Sequence, residues 1–61
     1  VFTVTIKTDN AAFGESDEEK AQEVARILRG LANDLEFVFP DGNRGLYDYN
    51  GNRVGSFTLE P

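Results

Sequence analysis

The sequence predicts an α+β fold: a single helix packed on a three-stranded, mainly antiparallel sheet, in the order strand, helix, strand, strand. Three observations carry that expectation. Residues 1–7 alternate apolar and polar side chains. Residues 17–33 repeat apolar side chains every three or four positions. Asn50-Gly51, the strongest short hairpin signal, stands between two further extended stretches.

Phe2, Val4 and Ile6 fall on one face of the first stretch, and Thr3, Thr5 and Lys7 on the other. Strict alternation with β-branched residues describes a strand with one buried face. Thr8-Asp9-Asn10 is turn chemistry, and Phe13 behind it is expected to plug the connection before Gly14 breaks the chain direction. Ser16-Asp17-Glu18-Glu19 matches a capping box, in which the Ser hydroxyl accepts from the Glu19 amide and the carboxylate reaches back to Ser16. Glu18 and Glu19 lie where the helix dipole favours negative charge, and Arg26 and Arg29 toward the end where it favours positive charge. Ala21, Val24, Leu28, Leu31 and Leu35 form the expected buried stripe, widened by Ala25, Ile27 and Ala32. The helix is therefore placed from Asp17 to Asn33. Glu23 reads as a like-charge neighbour of Glu19 at i,i+4. Gly30 costs up to about 1 kcal/mol against Ala, unless it lets the helix approach the sheet.

Phe37-Val38-Phe39 favours an extended chain, and Pro40 biases Phe39 away from helix. Pro40-Asp41-Gly42-Asn43 is a turn by composition. Strands over 46–49 and 53–59 then form a hairpin with a type I′ turn at Asn50-Gly51. A bulge at Gly55 would place Val54, Phe57 and Leu59 on one face. With the last strand central, both pairings are antiparallel. The predicted core is Phe2, Val4, Ile6, Phe13, Val24, Ile27, Leu28, Leu31, Leu46, Val54, Phe57 and Leu59. Thr3, Thr5, Tyr47 and Tyr49 occupy the uncovered sheet face. Residues 1–61 make one small domain.

Composition excludes several functions. The chain has no cysteine and no histidine, which removes thiolate chemistry and disfavours structural zinc; no cofactor is expected. Eleven acidic against six basic residues, a net charge of -5, argue against general nucleic-acid binding. Asp48, Asn50 and Asn52 match the first positions of a calcium loop, but Arg53 stands where glycine is needed and Leu59 where glutamate is needed. A hairpin turn accounts for the same residues without metal. No apolar run suits a membrane span, and residues 1–7 lack the build of a secretory signal. A cytoplasmic location is the expectation. Paired carboxylates alone, with no concave site to perturb them, give no reason to expect an enzyme.

Two binding surfaces compete. Glu15, Asp17, Glu18, Glu19 and Glu23 crowd the helix start, with only Lys20 among them. With Tyr47 and Tyr49 they form a candidate surface for a basic protein, steered by charge. A capped, solvated helix face explains the same acids. The alternative is a nucleic-acid surface built from Lys7, Arg44, Tyr47, Tyr49 and Arg53, able to pair with phosphate and stack on bases. Cross-strand Arg–Tyr pairing on a wet sheet face is the stronger explanation of those residues.

The segments Thr5-Ile6-Lys7-Thr8-Asp9-Asn10-Ala11-Ala12-Phe13, Glu23-Val24-Ala25-Arg26-Ile27-Leu28, Leu46-Tyr47-Asp48 and Asn50-Gly51-Asn52-Arg53-Val54-Gly55 resemble a group of small uncharacterised bacteriophage and prophage proteins. The group combines a TDNAAF segment, an acidic amphipathic helix and a terminal NGNRVG hairpin. This chain departs from it over Phe37-Val38-Phe39-Pro40-Asp41-Gly42. The resemblance implies a phage-borne origin and a compact α+β fold, and no activity. It adds to the acidic face the expectation of an inhibitor that imitates nucleic-acid phosphates on a host protein. The uncovered sheet face and the run Phe37-Val38-Phe39 also suggest a homodimer.

Overall fold

The computed structural model describes residues 1–37 and 45–60. Alternation at the start of the chain becomes strand β1, Phe2–Ile6. A 3-10 turn follows at Ala11–Phe13, started by the Asn10 side chain, which accepts from the Ala12 amide. Helix α1 spans Asp17–Phe37, β2 spans Gly45–Tyr47 and β3 spans Arg53–Leu59. The sheet order is β1-β3-β2, both pairs antiparallel, with β3 central as expected. Among the described residues, no helix is long and apolar enough to cross a membrane.

The capping box forms as read. The Glu19 amide donates to Ser16 Oγ at 3.1 Å, and the Glu19 carboxylate accepts from the Ser16 amide and hydroxyl. The other end differs. The helix runs past Asn33 to Phe37, because Pro40 restricts only the residue before it and nothing ahead of that residue forbids helix. Phe37 is thus helical rather than extended, and 72% exposed. Val38, Phe39 and the expected turn at 40–43 lie outside the described residues. Arg26 and Arg29 fall in mid-helix, and the last turn carries no base to meet the dipole.

Buried at the centre are Phe13, Ile27, Leu31, Leu46, Val54 and Phe57, with Val4, Ile6, Ala12, Val24 and Leu35 packed around them. Phe13 is fully enclosed, so the expected plug closes one end of the core. Phe2, Leu28 and Leu59, expected inside, are substantially exposed. The deepest helical positions are Glu23, Ile27 and Leu31 rather than the 24/28/31/35 stripe. The helix therefore sits rotated from the azimuth that an apolar count favours. The cause is a polar anchor at Glu23, described below.

The hairpin turn is wider than a two-residue loop. The Gly51 amide donates to the Asp48 carbonyl at 3.0 Å, closing a turn over Asp48-Tyr49-Asn50-Gly51, and the Asp48 amide donates to the Asn52 carbonyl at 3.0 Å. Gly51 has φ 87° as its position demands, but it stands fourth in the turn rather than third. The bulge also falls one residue early. Leu46 faces Gly55 and Tyr47 faces Arg53, so the register with β2 skips Val54. That extra residue turns Val54 inward beside Phe57. Gly55 is required for another reason: a Cβ there would collide with the Thr5 carbonyl oxygen of β1.

Candidate functional site

Two carboxylates are buried at the hairpin end. Asp48 is 4% exposed and Glu23 is 7% exposed. Buried charge is tolerated only when paired or well bonded, and both are. The Asp48 carboxylate accepts from the Asn50 and Asn52 amides at 2.9 Å each, from Asn10 Nδ2 at 2.8 Å and from Asn52 Nδ2 at 3.3 Å. It therefore ties the β2–β3 turn to the 3-10 turn. Asn10 serves both sides: its Oδ1 starts the 3-10 turn and its Nδ2 holds Asp48.

Glu23 performs a parallel task from α1. Its two oxygens accept from Arg26 Nε at 2.7 Å and an Arg26 terminal nitrogen at 2.9 Å, a bidentate pair. The same carboxylate accepts from the Tyr49 amide at 3.0 Å. Arg26 reaches on to the Tyr47 carbonyl at 3.3 Å. Helix and hairpin are joined through backbone groups of the hairpin, the Tyr49 amide and the Tyr47 carbonyl.

The ionisation of both acids follows from this bonding. The Arg26 hydrogen bonds hold Glu23 below its ordinary value; burial opposes this, and the Tyr49 amide assists it. Burial pushes Asp48 up, but the Asn52 amide, the Asn10 and Asn52 side chains and the Asn50 amide together outweigh it, leaving Asp48 lowered. Arg26 is raised, chiefly by its hydrogen bond to Glu23. Every one of these charges is committed to holding the backbone. A general acid or base needs a carboxyl free to exchange its proton near neutral pH, and these two are shifted the other way.

The expected acidic surface thus loses one member: Glu23 is turned inward and bonded. Glu15, Asp17 and Glu18 are exposed around the start of α1, and Glu19 is folded back into the cap. The tyrosines are separated. Tyr47 lies in β2, next to buried Leu46, while Tyr49 is the second residue of the turn and exposed. Tyr49 borders a shallow cleft of about 380 Å³ that includes Phe13, Gly14, Gln22, Arg26 and Arg29.

Of the alternative set, Lys7 and Arg53 line one depression on the open sheet face, which Thr5 and Ser56 also border. Tyr47 is the register partner of Arg53. Arg44 lies outside the described residues. Sequence reasoning missed the Asn10–Asp48 and Glu23–Tyr49 links. A signal for the second existed: Glu23 stands four and eight residues before Ile27 and Leu31, on the same helical stripe, with Arg26 one turn away. The first had none, since 38 residues separate Asn10 from Asp48. No family model, no curated protein and no solved structure matches this chain.

Proposed function

We propose that this chain is a small, non-catalytic interaction module of phage type, acting in the cytoplasm of a bacterial host. Its exposed helix start, Glu15, Asp17 and Glu18, binds a basic partner protein, in the manner of an acidic inhibitor. The observation supporting this is the division of the carboxylates into two populations. Glu23 and Asp48 are buried and consumed by structure, whereas Glu15, Asp17 and Glu18 surround the helix start at the surface. Charge gathered on one surface raises encounter rates with an oppositely charged partner and penalises acidic ones. Tyr49, exposed on the turn that Glu23 ties to the same helix, offers an aromatic contact beside it.

The test is affinity capture from host lysate with the parent chain and with Glu15→Gln/Glu18→Gln. Neither side chain bonds the cap or the buried network, so the fold should persist, with a loss of about 0.3–1 kcal/mol at the helix start from Glu18. A basic protein retained by the parent and released by the double variant, and by moderate salt, is expected. Retention of the same protein by both chains would discard the acidic face.

Lys7 and Arg53, lining one depression on the open sheet face beside Tyr47, support a second reading as a nucleic-acid accessory protein. Phosphate contacts made there would give binding that falls steeply with salt and is lost in Lys7→Gln/Arg53→Gln.

A further inference from the structure

The outer edge of β1 is a strand without a neighbour among the described residues. Its hydrogen-bonding parity follows from its two ends. Val1 exchanges both bonds with Glu60, at 2.9 and 2.8 Å, and the Lys7 amide donates to the Val54 carbonyl at 2.7 Å. Antiparallel ladders alternate, so the odd residues 1, 3, 5 and 7 turn their backbone groups to β3. The N–H and C=O groups of Phe2, Val4 and Ile6 therefore point away from the sheet. Native proteins blunt such edges with charge, proline or a bulge. Phe2–Ile6 contains none of these: it is uncharged, and its five residues pair with β3 in unbroken register.

We propose that this edge pairs with β1 of a second copy, antiparallel about a two-fold axis at Val4, to form a six-stranded sheet. The sequence Phe2-Thr3-Val4-Thr5-Ile6 is self-complementary in that register. Val4 meets Val4 of the second copy, Thr3 meets Thr5 and Phe2 meets Ile6. The outward parity makes Val4 opposite Val4 a hydrogen-bonded pair, and Phe2 opposite Ile6 another, so all the outward groups of the three residues find partners. An axis perpendicular to the sheet keeps both helices on one face and both threonine rows on the other. Phe2, already packed on Phe57 at a centroid distance of 6.0 Å yet 44% exposed, gains a covering neighbour in Ile6 of the second copy. This surface is distinct from Phe37, and the pairing is independent of what the acidic helix start binds.

Sedimentation of the parent chain at about 100 μM decides first: a dimer is expected, and a monomer overturns the proposal. Thr3→Lys/Thr5→Lys then tests the register. Both positions are exposed, so the monomer keeps its fold, while each new ammonium faces another across the axis; dimerisation should weaken by about tenfold or more at low salt. Thr3→Glu/Thr5→Lys sets opposite charges face to face in the same register and should restore it. Equal weakening in both variants, or none in either, overturns the Val4 axis. Val4→Pro removes an outward donor, which an edge strand tolerates, together with part of the packing that Val4 makes against the core, and should yield a less stable but folded monomer by circular dichroism. A folded Val4→Pro dimer would also overturn the pairing. If that variant does not fold, the two charge variants still decide.

Discussion

The two ends of the sheet are built on opposite terms. At the hairpin end, Phe13 is fully enclosed, Asp48 and Glu23 are buried, and three separate pieces of chain meet through bonded polar groups. At the other end, where β1 begins and β3 finishes, Val1, Phe2 and Leu59 leave apolar surface in water. The C-terminal turn of α1, with exposed Phe37 and no capping base, is equally open. A 61-residue chain has too little apolar area to close both ends. It closes one, using polar groups where side-chain volume runs out. The open regions are where association gains most, and the enclosed end is where substitution costs most.

Phe13→Ala is the sharpest way to break that contrast. It empties the enclosed end and should cost about 3–5 kcal/mol, enough to leave much of the chain unfolded in a denaturant titration. Asp48→Ala comes next: it strands Asn10 and two turn amides without an acceptor, so the melting temperature should fall well beyond that of any surface variant. The same network makes stability pH-dependent. Glu23 and Asp48 are both lowered in the fold from ordinary values of 4.5 and 3.8. Their contribution is complete above those values and is lost as pH falls through the lowered, folded ones. Thermal melts should be flat down to about pH 5 and decline on further acidification. A melting temperature still constant at pH 3 would show that these carboxylates do not hold the hairpin.

Gly51→Val forces a β-branched residue to φ 87° and should cost about 1–3 kcal/mol. That would show the turn to be constrained as firmly as its bonding suggests. Gly30→Ala acts with the opposite sign. Gly30 is exposed, and a Cβ there meets nothing within 4 Å, so the helix should gain about 1 kcal/mol. A destabilised Gly30→Ala would mean that the helix does approach a neighbour there. Phe37→Ser should be the mildest, within about 0.5 kcal/mol of the parent. A larger loss would move Phe37 into the structural core and remove the contrast between the two ends.

Much of this was legible from local pattern. The β1 alternation, the Ser16–Glu19 cap, the Phe13 plug and the β1-β3-β2 order each follow from residues a few positions apart or from which connections the chain can make. The twelve-residue core was legible in its centre and failed at Phe2, Leu28 and Leu59. The acidic surface was legible only as composition. The count of carboxylates is visible in the sequence, and the spacing of Glu23 to Ile27, Leu31 and Arg26 hints at its inward turn, but its acceptor role toward the hairpin exists only once the chain has packed.

Local chemistry by itself determined where elements begin and alternate, because caps and periodicity act within one helical turn or one strand. Tertiary structure alone decided the azimuth of α1, the width of the hairpin turn and the fate of each carboxylate. Those depend on groups brought together from distant positions: Asn10 on Asp48, Glu23 on Tyr49, the Thr5 carbonyl against Gly55. A buried charge is stable only when its partners are present, and the partners exist as a set only once the chain has folded.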